Sequence, residues 1–292
     1  MCMYEFRIRF ILLRNPIRNL PKGVFGISMR AGFFFPERYD MTQIAAQMYT
    51  LRDYCKTPAD IATTLAKVKK IGFDAIQISG FGPCDPKEVA KILADTGLIC
   101  CATHTGFERM QKEPQAVIDE HKLWDCKHTA PGLLPNSYRE LGANGYVQFA
   151  KDAEAVAEIF AASGITLSYH NHNWEFEKFS GRVAQAILLE ESKKLCFEID
   201  TYWVQVGGGD PAAWIAKCGG RIPLLHCKDM THRKDKYIMA EVGEGNLNWP
   251  AIIAAAKTAG VQWYIIEQDT CETDPFDCLA TSLKNLKGMG LA

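Results

Sequence analysis

The stretch Gly164-Ile165-Thr166-Leu167-Ser168-Tyr169-His170-Asn171-His172-Asn173-Trp174-Glu175-Phe176 begins as one kind of segment and ends as another. A glycine stops whatever precedes it, and a β-branched and apolar run follows, the composition of a short strand. Two histidines, two asparagines and a carboxylate then fall within six residues. A strand interior has no use for them; the tip of a strand that opens into a polar cavity does. Imidazole and carboxylate are the ligand set of a borderline divalent metal, and asparagine holds a hydroxyl or orients a ligand. A polar loop with half-buried histidines explains the segment equally well, so the rest of the chain has to decide.

Working outward, the same unit recurs on both sides: short apolar strand, polar loop, amphipathic helix, glycine, next strand. Ile44 to Tyr49 is the first strand. Pro58 opens a helix where its missing N–H costs nothing, Ile61, Leu65, Val68 and Ile71 share one helical face, and Gly72 ends it. Further strands are expected at 73–78, 98–102, 125–130 (weak), 165–169, 195–200, 222–226 and 262–267, with helices between them and a last one over 275–287. The loop through Pro131, Pro135 and Gly142 is long, which in compact domains usually signals function. Eight β–α units over about 250 residues match an α/β chain folded as a single (β/α)8 TIM barrel. The competing doubly wound sheet would want a glycine-rich turn after the first strand. That turn is Tyr49-Thr50-Leu51-Arg52-Asp53, with no glycine.

Composition narrows the function classes. Hydrophobic content of 48% and charged content of 23% are ordinary for a globular protein. A net charge of −1 provides no global field for nucleic acid or anionic membrane. No apolar run is long enough for a transmembrane helix. The eleven cysteines are irregularly spaced without a CxxC, and Cys100, Cys101, Cys196 and Cys227 lie in apolar runs. They read as buried free thiols in a reducing, cytoplasmic setting rather than a disulfide framework. Residues 1–40 read as an N-terminal extension: periodic structure starts near Met41, and Arg7, Arg9, Arg14 and Arg18 break up the only apolar stretch. A disordered arm, an oligomer contact, an import sequence and an over-long start with Met41 as the true beginning all fit, the last best.

In a barrel the site lies at the C-terminal ends of the strands. Those ends carry Gln47 and Tyr49, Gln77, His104, His128, then His170, His172 and Glu175, then Asp200, His226 and Glu267, whereas the strand starts are bland. Three successive strands closing on Asp, His and Glu have no structural need to do so. Each residue has a plainer alternative. Asp200 could cap a helix, although Thr201-Tyr202-Trp203 does not read as a helix start. His226 could be a satisfied core histidine, but Lys228-Asp229 follow it. An unpaired carboxylate such as Glu267 at the end of a central strand is costly. His104 divides between substrate contact and structural hydrogen bond, and Trp174 and Trp203 between stacking on a sugar and plain packing.

At these residues the chain resembles the xylose isomerase-like TIM-barrel superfamily of sugar isomerases and epimerases. The likeness runs from about Met41 to the C-terminus. It rests on Gln47-Met48-Tyr49-Thr50-Leu51-Arg52-Asp53, on Tyr169-His170-Asn171-His172 with Glu175-Phe176, on Glu198-Ile199-Asp200-Thr201, on Leu225-His226-Cys227-Lys228-Asp229-Met230, on Glu241-Val242-Gly243-Glu244-Gly245-Asn246 and on Ile266-Glu267-Gln268. The resemblance implies one divalent metal ion (Mn, Mg, Co or Zn) held by Glu, Asp, His and a second Glu from strands five to eight. Asp200, His226 and Glu267 match the last three. The strand-five glutamate falls near His170, so Glu175 or His170 is the expected fourth ligand. The resemblance also implies that Glu267 and Glu175 move the proton beside a carbonyl, with Lys228 near a substrate oxygen. His104, His172, Gln47 and Trp203 are the expected substrate contacts. Histidine at position 170 also suggests branches that act on keto-sugars, keto-glycosides or inososes by elimination or hydration. A DNA-repair nuclease or a non-catalytic sugar binder would be the remaining readings. The partner expected is a small-molecule carbohydrate, with a homo-oligomer left open.

Overall fold

Proline and glycine punctuate the chain as the sequence suggests. Pro58, Pro86, Pro114, Pro211, Pro250 and Pro275 each occupy the first or second position of a helix. Gly72, Gly97 and Gly260 end helices in the left-handed conformation that L side chains resist. The first of these helices, Pro58–Ile71, also carries a capping box between Thr57 and Asp60. The computed structural model describes residues 44–291; the extension expected over residues 1–40 lies outside the described residues.

Eight parallel strands close into a barrel: β1 (Ile44–Gln47), β2 (Ala75–Ile78), β3 (Ile99–His104), β4 (His128–Ala130), β5 (Thr166–His170), β6 (Cys196–Asp200), β7 (Leu224–Cys227) and β8 (Trp263–Ile266). Each pairs with its neighbour in sequence, and β8 closes on β1 through Ile44↔Tyr264 and Ala46↔Ile266. The doubly wound alternative is thereby excluded.

Alternation within the strands produces two cores. Leu167, Tyr169, Phe197, Ile199, Leu225, Cys227, Tyr264 and Ile266 face outward and pack with the helices. Ala45, Ala75, Cys101, Ala102, Leu224 and Ile265 form a separate apolar cluster inside the barrel. Interior residues nearer the strand C-termini are polar and fully buried: Gln47, Gln77, Glu198, Asp200 and His226. The barrel is therefore filled with side chains, apolar below and polar above.

Several elements depart from the sequence reading. Strand one stops at Gln47, and Met48–Tyr54 is a 3-10 turn. Strand four has three residues, fewer than expected, with Asp125 at a positive φ of 48° before it. An antiparallel hairpin, Asp229–Arg233 with Lys236–Ala240, follows β7 and was not anticipated. A smaller one pairs Lys178–Phe179 with Arg182–Val183. Ten of the eleven cysteines are among the described residues, and all ten are free thiols. No helix among the described residues is long and apolar enough to cross a membrane.

Candidate metal centre and cavity

Strand parity puts the key side chains on one side. In β5 to β8, residues two apart point the same way, so Ser168 with His170, Glu198 with Asp200, Leu224 with His226 and Ile265 with Glu267 share the interior. Register aligns them further: His170 pairs with Glu198, Asp200 with His226, and Ile265 with His226. The structure brings His170, Asp200, His226 and Glu267 together, with one donor atom from each lying within 4.8 Å of every other. His170 Nε2 is 3.4 Å from Asp200 Oδ2, His226 Nδ1 is 3.8 Å from the same oxygen, and His226 Nδ1 is 2.9 Å from Glu267 Oε2.

This donor set fits a divalent cation. Ligands at about 2.0–2.3 Å from one ion stand about 3–4 Å apart, the spacing found. Charge agrees: Asp200, Glu267 and Asp269 surround a single ammonium, Lys228 Nζ, at 3.0, 2.8 and 3.1 Å. Three carboxylates against one lysine leave a deficit that two positive charges would balance. Burial disfavours the ionised form of Asp200 and Glu267, but Lys228 and the neighbouring histidines hold both carboxyls well below the usual range. Burial likewise opposes the Lys228 charge, and Asp200, Glu267 and Asp269 outweigh it and push its pKa up. Asp269 is raised to about 6, first by burial and then by Glu267.

Asp200 does two things at once. Its Oδ1 accepts from Trp203 N at 2.9 Å and caps the helix Thr201–Val206, while Oδ2 faces the cluster. Thr201-Tyr202-Trp203 does start a helix, contrary to expectation, and Asp200 both caps it and joins the cluster because each task uses a different oxygen. His170 donates Nδ1–H to Gly132 O at 3.2 Å, which leaves Nε2 turned to the donors.

Glu175 lies outside this group. Its carboxylate is fully buried, accepts from Tyr169 Oη at 2.5 Å and from His172 N at 2.7 Å, and thereby closes the turn after β5. Tyr169 projects to the outer face of the strand, and that contact draws Glu175 away from the interior. Of the two candidates for fourth ligand, the geometry brings only His170 to the donor set.

Beneath the donors lies a layer centred on Glu198, which sequence reading quoted but gave no role. Glu198 Oε1 accepts from Gln77 Nε2 at 2.7 Å and Oε2 from His104 Nε2 at 2.7 Å, with His226 Nε2 at 3.2 Å. His226 Nε2 also donates to Gln77 Oε1 at 2.7 Å, and Gln47 Nε2 to the same oxygen at 2.8 Å. With Nε2 committed to this layer, Nδ1 is the nitrogen that faces Asp200 and Glu267. Burial opposes a charged Glu198, and the His226 and His104 rings beside it nonetheless hold its pKa well down. Position was the available signal: Glu198 stands two residues before Asp200 on the same strand, hence on the same face.

A cavity of about 390 Å³ opens above the donors, lined in part by Tyr49, Arg52, His104, His170, His172, Lys228 and Glu267. Gln47 does not line it; its amide is spent on Gln77 and on Tyr49 N. Trp203 is also absent from the lining, although its ring lies 5.5 Å from Lys228 Nζ. Trp174 is sandwiched between the His172 ring at 4.3 Å and the Arg139 guanidinium at 4.9 Å, so neither face is open to a ligand. Burial and then His170 push His172 down to about 2. His128 points into the barrel beside Gln262, at the end opposite the donors.

Comparison with known proteins places this geometry in context. No curated protein matches the chain. Among solved structures, a sugar phosphate isomerase/epimerase of Parabacteroides distasonis is similar over 88% of this chain and 97% of its own, with 22% identity and a TM-score of 0.71. An L-ribulose 3-epimerase is similar over 85% and 94%, with 19% identity and a TM-score of 0.65. A probable 3-DHS dehydratase of Bacillus anthracis covers 84% and 98%, with 14% identity and a TM-score of 0.62. At these identities the likeness is one of fold. A family model described as xylose isomerase-like TIM barrel matches residues 65–287, most of the chain, and this chain belongs to that family.

Proposed function

We propose that the protein is a divalent-metal-dependent sugar isomerase or epimerase that works next to a carbonyl. The observation that carries this is the convergence of His170, Asp200, His226 and Glu267 with Lys228 beside them, of which His170, Glu267 and Lys228 line one cavity. When bound there, a divalent ion would supply Lewis acidity, making a C–H beside a carbonyl easier to ionise. The chain's own residues do the rest. Glu267 Oε2, already ionised, takes the proton from one carbon and, as the acid so formed, returns it to the neighbouring carbon. Lys228 Nζ, 2.8 Å from Glu267 and 3.1 Å from Asp269, offers a positive charge where negative charge develops on the substrate oxygen. His104, anchored by Glu198, and His172 line the walls and orient hydroxyls. The apolar plug under the site keeps bulk water from the far end of the barrel.

One observation favours a second reading. His170 stands where the family's first glutamate is expected, and Glu175 is turned outward, so of the two glutamates expected to move the proton only Glu267 stands at the donors. A single base suits loss of a β-hydroxyl or alkoxide, making the protein a lyase or dehydratase on a keto-glycoside or inosose. Product analysis over keto-sugars, 3-keto-glycosides and inososes, with and without EDTA, decides. Epimerised or isomerised products that vanish with EDTA support the first reading, unsaturated products the second, and turnover indifferent to EDTA overturns both.

A further inference from the structure

Lys228 is buried, and its ammonium has three protons to place. Three carboxylate oxygens take them: Asp200 Oδ2 at 3.0 Å, Glu267 Oε2 at 2.8 Å and Asp269 Oδ2 at 3.1 Å. The first two oxygens belong to the candidate metal centre as well. Asp200 Oδ2 faces His170 and His226, and Glu267 Oε2 faces His226. Asp269 is not among the four residues whose donor atoms converge. Its carboxylate meets the ammonium instead, and both Asp269 and Lys228 line the cavity.

Asp269 is held in place from three directions. Its N–H donates to Met239 Sδ at 3.2 Å, in the hairpin after β7. Its carbonyl accepts from Arg52 Nη2 at 3.0 Å, in the 3-10 turn after β1. Arg52 is itself anchored, with Nη1 donating to Tyr49 O at 2.8 Å. The segments after β1, β7 and β8 therefore meet at this residue, and what they fix is a carboxylate against the Lys228 ammonium. A solvated surface acid needs no such support.

Charge explains why a third carboxylate is there. A divalent ion on Asp200 and Glu267 would draw on the same two oxygens as the ammonium. Like charges that share partners in a buried site repel strongly, and the ammonium, on its flexible four-carbon stem, is the one able to move away. With Asp269 counted, three negative charges face three positive ones. Without it, two face three, and a buried charge left uncompensated is costly.

We propose that Asp269 is a positioning residue that acts through Lys228. It is the counter-ion that keeps the ammonium on the cavity wall, toward the substrate, while Asp200 and Glu267 turn their oxygens to the ion. This rests on the reading of the four donors as a metal centre, and it gives Asp269 a task that the two ligand carboxylates cannot perform at the same time.

Manganese(II) alone is the probe, titrated into the full chain and followed by the electron paramagnetic resonance of the free ion. Each variant is first checked for a native near-ultraviolet circular dichroism spectrum. Asp269→Asn keeps the size and removes the charge, and should weaken manganese binding by roughly 10- to 100-fold. Adding Lys228→Met removes the unbalanced ammonium, so the double variant should bind within about threefold of the wild type. Lys228→Met alone keeps all three carboxylates and should bind more tightly than the wild type. Where Asp269→Asn does not fold, this variant decides, and binding that is unchanged or weaker overturns the proposal. Wild-type affinity in Asp269→Asn also overturns it. So does a double variant no tighter than Asp269→Asn, which would make Asp269 a ligand in its own right. Wild-type protein that takes up neither manganese nor zinc removes the metal reading and this inference with it. Uptake without the Asp269 effect removes this inference alone.

Discussion

Glu198 holds two imidazoles with one carboxylate, and its consequence is felt one layer up. With His226 Nε2 tied to Gln77 and Glu198, only Nδ1 is left to face the donors. Glu198→Gln keeps the volume and removes the charge. Metal affinity is expected to fall by about 10- to 100-fold, measured by competition against a chromophoric chelator; an unchanged affinity would reduce Glu198 to a packing residue. Glu267→Gln addresses the other carboxylate. Turnover should drop by about 10²- to 10⁴-fold, while the urea midpoint stays near that of the wild type. Equal losses in both would mean Glu267 is needed for folding first. Asp200, His226 and Glu267 were legible because each ends an apolar run. Glu198 was not, because its partners His104 and Gln77 come from 94 and 121 residues away. Only closure of the barrel brings them within 2.7 Å.

At the scale of elements, the loop after β7 shows what one buried carboxylate can organise. Asp229 accepts from Met230 N, Gly243 N, Gly245 N, Leu247 N and Trp249 Nε1 at 2.6 to 3.2 Å. A Cβ at Gly245 would stand 2.3 Å from Asp229 Oδ1, so glycine is required there. Asp229→Ala leaves five donors without their acceptor. It should cost about 3–5 kcal/mol, read from urea unfolding, and loosen the hairpin Asp229–Arg233 with Lys236–Ala240. That hairpin bears on the site, because Met239 Sδ accepts from Asp269 N at 3.2 Å and so sets the loop that faces Lys228. The eight strands and their helices were readable, the helices from the spacing of one apolar face and the strands as short apolar runs buried on both faces. The hairpin was not: its burial falls off from Asp229 and Ala240 at its base to exposed residues at its turn, with no alternation to read, and its register depends on Asp229, which reads in sequence as one more acid after a lysine.

For the whole molecule, two histidines remote from the donors add to His172 in lowering stability on the acid side. His121 donates Nδ1–H to Val117 O at 2.7 Å and accepts at Nε2 from Thr103 Oγ1 at 2.9 Å. Burial lowers the pKa of His121, and burial lowers that of His128. A group whose folded pKa lies below its unfolded one is neutral in the fold and binds a proton on unfolding. Stability is therefore full above the unfolded value near pH 6.5 and declines as pH falls below it, by about 1.4 kcal/mol per unit for each histidine. Urea titrations at pH 7 and pH 5 should show this, and His121→Gln should make the decline shallower; an identical slope would assign the acid loss elsewhere. The apolar plug of Ala45, Ala75, Cys101, Ala102, Leu224 and Ile265 has a last consequence, for the order of events. It makes the barrel a vessel with one mouth, rimmed by Tyr49 and Leu133, and the donors lie at its base. Whatever settles at the base has to arrive first and leave last. A sugar in the cavity then acts as a stopper, so stripping of metal by a chelator should slow as sugar concentration rises.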